Sequence, residues 1–416
     1  MVMSTQDKTI PVGFKRTEVG VIPIDWEVQR FGEIAEPRKQ RIDPRNADPE
    51  QFCIELEHIE QETGRLIGSI TAGESVSLKS YFVQGDVLFG KLRAYLQKYW
   101  LADRQGLCST EIWVLVGNKS IIPEFLFQQV RVSQFIEAAS TAYGTHMPRS
   151  DWNVVKNYQL AIPPLSEQGA IATALSDVDV LLASLDTLIA KKKNIKQGAM
   201  QELLTGKRRL PGFNGKWKKF NMSKDAVLKA RIGWQGLTTT EYRESGDYYL
   251  ITGTDFLGGR IDWNKSHFVD KNRYDQDKNI QLRRDDILLT KDGTIGKVAH
   301  VAFLPGPATL NSGVFVIRPQ YQDAFYPRFL YYVLMSNIFE AFLARLQAGS
   351  TITHLYQKNF IDFNFLIPEY NEQRVIAELL SDLDADVEVF EKELSKYAQI
   401  KIGIMQQLLT GKIRLI

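Results

Sequence analysis

From residue 166 onward, apolar side chains return at steps of three and four: Ile171, Leu175, Val178, Leu182, Leu185 and Ile189. After a polar interruption come Ile195, Ala199 and Leu203. The stepping begins again far along the chain with Ile376, Leu380, Leu383, Val387, Phe390, Leu394, Tyr397, Ile400, Ile404 and Leu408. Seams of this length predict two long coiled-coil helices. Pro163-Pro164 and Pro368 block helix upstream. Ser166 and Asn371 are placed to cap the starts, with Glu167 and Glu372 at the positive end of each helix dipole, and Gly206 and Gly411 stand where the helices should stop. A helix over 166–205 is about 60 Å long. Neither stripe can face water alone, so each is expected to cover the other, antiparallel. Lys192 breaks the first seam where Tyr397 continues the second, which predicts a loose spot.

The two helices belong to a duplication. Residues 161–210 align without a gap on 366–415, sharing Ile-Pro, Glu-Gln, Ile-Ala and Leu-Ser-Asp-x-Asp, then Met-Gln-x-Leu-Leu-Thr-Gly-Lys. The stretches before them correspond more loosely. "DWEVQRFGEIA" (25–35) matches "GKWKKFNMSKDA" (215–226), and "GDVLFGKLRAY" (85–95) matches "DDILLTKDGTIGKVAHV" (285–301). "STEIWVLV" (109–116) matches "NSGVFVIRP" (311–319), and "PEFLFQQV" (123–130) matches "PRFLYYVL" (327–334). These read as buried strands running into Gly- and Lys-containing loops, then amphipathic helices. The expected fold class is α+β: two similar α/β lobes, 1–160 and 211–365, separated by helical spacers at 161–210 and 366–416. Antiparallel helices would make the whole a pseudo-two-fold dumbbell.

Composition narrows the function. The chain has 416 residues, 44% hydrophobic and 24% charged, with formal net charge +2. That is a globular composition with room for two domains. No run approaches the ~18 apolar residues of a membrane span, and the start lacks a signal-peptide layout. Cys53 and Cys108 are the two cysteines, too few for a disulfide framework. A cytoplasmic protein is expected. Between Lys191 and Lys219 there are ten Lys or Arg and one acid, Glu202. Such a run suits a solvated helix end and is also compatible with nearby phosphates.

Catalytic signatures do not emerge. "GDVLFGKL" (85–92) has the Gly-x4-Gly-Lys spacing of a phosphate loop, but Leu92 takes the place of the magnesium-binding Ser or Thr. The His and Cys residues lack zinc spacing, and no Gly-x-Ser-x-Gly elbow or Asn/Asp-Pro-Pro-Tyr motif appears. The loops instead carry side chains suited to base edges and phosphates. In the first lobe these are Lys91, Arg93, Tyr95, Ser109, Thr110, Thr145, His146 and Arg149. In the second they are Trp234, Gln235, Lys291, Thr294, Lys297, Asn311, Ser312, Ser350, Thr351 and His354.

The duplicated "IPPLSEQ…MQELLTGK" block, the opening "GFKRTEVGVIPIDWEVQRFGEI" (13–34) and "GTIGKVA" (293–299) resemble the specificity subunits of type I restriction-modification systems. The resemblance covers essentially the whole chain. It implies that the lobes are target-recognition domains, each binding one half of a gapped, asymmetric double-stranded DNA site. The paired helices would fix the unread gap. The resemblance also implies a non-catalytic subunit that docks two adenine methyltransferase subunits, with two ATP-driven restriction subunits completing the complex. S-adenosylmethionine, ATP and Mg would then be used by those other subunits, with no cofactor in this chain. Outer apolar residues Leu181, Leu188, Leu379 and Met405 are candidates for the partner-binding faces. Two other readings stay open: a self-sufficient modification or restriction enzyme, which S-adenosylmethionine binding by the isolated chain would favour, and a coiled-coil scaffold that reads no DNA.

Overall fold

A computed structural model describes residues 10–141, 147–232, 236–347 and 354–415. The chain divides into two compact units, Met1–Thr187 with Lys392–Ile416, and Leu188–Glu391. Each unit holds one lobe together with the beginning of one long helix and the end of the other. The division falls inside both helices because their ends are built into the lobe cores.

The long helices run Leu165–Leu203 and Tyr370–Leu408, 39 residues each. Ser166 and Asn371, expected as caps, fall inside the first turn. The Pro164 carbonyl already accepts from Gln168 N (3.0 Å), and the Glu369 carbonyl from Gln373 N (3.1 Å). Gly206 and Gly411 sit past the last turn at φ +71° and +69°, the left-handed conformation expected for helix-ending glycines.

In the first unit a four-stranded antiparallel sheet places Ile112–Gly117 between Val87–Gly90 and Ala35–Pro37, with Tyr99–Leu101 outside Val87–Gly90. A second sheet pairs Gly106–Ser109 with Lys79–Phe82 antiparallel and with Phe52–Ile54 parallel. Gln159–Ile162 pairs with Glu27–Arg30 immediately before the long helix. The second unit repeats this plan. Val314–Pro319 lies between Ile287–Thr290 and Ala226–Ala230, with Val298–His300 outside Ile287–Thr290. Tyr248–Ile251 pairs parallel with Ala308–Leu310, and Lys218–Asn221 pairs antiparallel with Asn364–Ile367. Val87–Gly90 and Ile287–Thr290 are buried at every position, which explains their unbroken apolar runs.

Within each unit the two helices pack antiparallel. In the first, Ile171, Ala172 and Leu175 share a core with Leu408, Leu409, Trp26 and Phe125. In the second, Met200, Leu203 and Leu204 share one with Ile376, Ala377, Leu380 and Phe329. The seam departs from expectation at one repeated position. Ile195 and Ile400 are 47% and 40% exposed. Lys196 and Lys401, one residue on, turn inward to Asp384 (2.5 Å) and Asp179. The 3.6-residue period carries the seam from Ile189 through the Lys192 and Lys196 positions to Met200 and Leu203. Lys192 itself is not a loose spot: its ammonium bonds Asp386 at 2.7 Å and lies 5.9 Å from the Phe390 ring centroid. Much of the basic run is used inside the chain, since Lys193 pairs with Glu391 and Arg209 with Glu372.

The repeated Glu-Gln has a structural reason. Buried Glu167 accepts from Trp26 Nε1 (2.9 Å) and Arg414, and buried Glu372 accepts from Arg209 through both carboxylate oxygens. Gln168 accepts from Ile122 N and donates to the Pro163 carbonyl; Gln373 does the same with Tyr326 N and Pro368. Each carboxamide thereby fixes the amphipathic helix of its lobe to the entry of the long helix.

Candidate nucleic-acid interface

Beyond Gly90 and Thr290, each central strand leaves its sheet and is stitched to two other segments. In the first lobe Lys91 N donates to the Glu111 carbonyl (2.9 Å), Ser150 N donates to the Lys91 carbonyl (2.8 Å), and Leu92 bridges Arg149. In the second, Lys291 N donates to the Gly313 carbonyl (2.9 Å), Leu355 N donates to the Lys291 carbonyl (2.8 Å), and Asp292 bridges His354. The same three-segment platform is thus built twice from different side chains.

The platform of the first lobe brings together Lys91, Arg93, Tyr95, Ser109, Thr110 and Arg149. Arg93 adopts φ +55° while its N–H bonds the Pro148 carbonyl at 2.8 Å, and its side chain is exposed, as is that of Tyr95. Lys91, Ser109 and Thr110 are half-buried. Arg149 Nε donates to Glu111 Oε2 at 2.9 Å, a pairing that raises the Arg149 pKa.

The second platform gathers Lys291, Asn311, Ser312 and His354. The Lys291 ammonium sits 3.3 Å from Asp292 and 5.7 Å from the Phe315 ring centroid, while His354 pairs with Asp292 and its ring lies tilted against Tyr356, centroids 4.5 Å apart. Asn311 is committed internally: Nδ2 donates to the Tyr242 hydroxyl (2.6 Å), and Oδ1 accepts from Ser312 N (2.6 Å). Thr294 and Lys297 lie farther along the same loop, exposed, with their backbones tied to Thr290. Thr145, His146, Trp234, Gln235, Ser350 and Thr351 lie outside the described residues.

Several supporting residues escaped the sequence reading. Glu111 and Asp292 orient Arg149 and His354 across sequence separations that no local pattern links. Arg231, buried, braces the second platform by donating to the Leu310 carbonyl (2.8 Å) and Thr309 Oγ1 (3.2 Å). Burial lowers its pKa. Among the described residues no group of His, Cys, Asp and Glu could hold a metal ion.

Of the proposed partner-facing residues, Leu181 is exposed and Leu188 half-buried. Leu379 and Met405, also half-buried, each pack one side against the core of their own unit. Met405 also lines a cavity of about 1100 Å³ in the first unit, with Val21, Ile136, Ile402 and Leu409. Among the described residues no single helix is long and apolar enough to cross a membrane; the apolar stretch Pro327–Leu334 is core.

The model of the type I restriction modification DNA specificity domain matches twice, over residues 23–197 and 231–397. The type I restriction enzyme MjaVIII specificity subunit of Methanocaldococcus jannaschii is 25% identical over 416 aligned positions, covering 94% of each chain. The EcoDI specificity subunit of Escherichia coli is 26% identical over 200 positions, 46% of this chain and 44% of that one. The crystal structure of a type I restriction-modification S subunit from M. genitalium superposes with a TM-score of 0.60 at 16% identity, covering 93% of this chain and 96% of that one.

Proposed function

Since the chain belongs to the type I restriction-modification DNA specificity family, we propose that it selects DNA sites by reading one half-site with each lobe. The observation that carries this is the doubled platform: equivalent backbone stitching beneath Lys91, Arg93 and Arg149 in one lobe and Lys291 and His354 in the other. Lys and Arg supply the phosphate attraction that positions a protein on a duplex, and Arg, Asn, Ser and Thr the donors and acceptors that read base edges. Two platforms with unlike side chains suit two unlike half-sites.

On this reading the chain is a non-catalytic subunit. Methyl transfer belongs to two adenine methyltransferase subunits using S-adenosylmethionine, and ATP- and Mg-dependent cleavage to two restriction subunits. The helices supply spacing and docking. Leu181 and Leu188, outside the cores, are the docking candidates that the chain's own packing leaves most open.

The test is a lobe exchange. Replacing residues 1–160 with the corresponding lobe of another specificity subunit, then mapping methylated adenines genome-wide, should change one half-site and leave the other half-site intact. Loss of both half-sites in a stably folded hybrid would refute modular reading.

A further inference from the structure

Glu111 is the one acid within the three segments of the first platform, residues 91–95, 109–111 and 147–150. The neighbouring Asp151 is occupied as the N-cap of Trp152–Val155, accepting from Asn153 N. A carboxylate among Lys91, Arg93 and Arg149 opposes the attraction to phosphate, so its presence calls for a compensating task. Holding Arg149 is half of one. Nε of Arg149 bonds Oε2 of Glu111, while no hydrogen-bond partner for the two Nη groups or for Oε1 occurs among the described residues. The side chains are 52% and 28% exposed. Both are anchored from behind, Arg149 by its bridge to Leu92 and Glu111 by the hydrogen bond from Lys91 N.

Resting on the DNA-reading proposal above, we infer that Arg149 and Glu111 together read a G·C base pair in the half-site of the first lobe. The joined side chains offer, in order, two donors from the guanidinium and one acceptor from the carboxylate. A G·C pair presents N7 and O6 of guanine as acceptors and then the N4 amine of cytosine as donor in the major groove. The orders are complementary. An A·T pair presents acceptor, donor, acceptor and a methyl group, which sets the A N6 amine against a guanidinium donor. In the second lobe the corresponding place holds His354, Asp292 and Lys291, a different set, so its half-site does not share this determinant.

The experiment is a binding selection from duplexes with randomised positions. It uses the full chain in complex with its methyltransferase subunit and compares wild type with Arg149→Lys and Glu111→Ala. Both variants should lose roughly tenfold in preference for G·C at one and the same position of one half-site, while the other half-site and the gap are recovered unchanged. That unchanged remainder reports a folded protein. Three results would overturn the inference: unaltered discrimination in both variants, relaxation at an A·T position, or loss of the entire motif. A wild-type complex that selects no sequence would instead refute the DNA-reading proposal itself, which separates the two failures.

Discussion

Asp179 lies between the Arg131 guanidinium, which bonds both its carboxylate oxygens, and the Lys401 ammonium from the second long helix. Burial pushes its pKa up, but the hydrogen bonds and charges of Arg131 and Lys401 outweigh that and hold it below the usual carboxylate value. The unfolded chain therefore binds the extra proton first as pH falls. The stabilisation is present above about pH 4 and is lost as pH drops through the folded-state value. Asp179→Asn should cost about 3 kcal/mol at pH 7 by leaving Arg131 buried without its counter-charge. Denaturant unfolding at pH 7 and pH 3 tests this: the gap between wild type and variant should narrow in acid, and an equal gap at both pH values would refute the assignment. Asp179 was visible in the sequence as a repeated letter. Its partner Arg131, on another element, was not. Similarly, Ile195 and Ile400 satisfied a simple apolar count, whereas the helix turns Lys196 and Lys401 inward because Asp384 and Asp179 wait there.

The glycines that end the two long helices occupy matching positions with different neighbours. Both have positive φ, so an alanine at either would be strained by about 1 kcal/mol. A Cβ at Gly206 would approach the Trp217 ring at 3.3 Å, tight but adjustable. At Gly411 it would meet Pro23 Cδ at 2.5 Å, and Pro23 is fixed by strand pairing with Phe14. Gly411→Ala should therefore lower the denaturation midpoint distinctly more than Gly206→Ala. Equal losses would mean that the helix end relaxes away from Pro23. The stop signals were legible because the conformational demand on glycine is local. The unequal cost was not, because it depends on a segment almost 400 residues away in the chain.

If the helices are the spacer, their length sets the gap. Inserting one heptad in each, near residues 188 and 392, keeps the seam in phase and adds about 10 Å of rise, roughly three base pairs of B-DNA. Methylome mapping should return both half-sites unchanged with the gap widened by about that number. An unchanged gap would remove the spacer role from the proposal. What could be read without coordinates was whatever repeats or is local. The helix seams, their glycine stops, the duplication and the buried strands all follow from periodicities of 3.6 and 2 and from turn chemistry within a few residues. Folding in three dimensions settled which segments meet. Lys91 finds Glu111 and Ser150, Arg131 finds Asp179, and Trp26 finds Glu167, because strand order and helix packing join residues whose separation along the chain carries no signal.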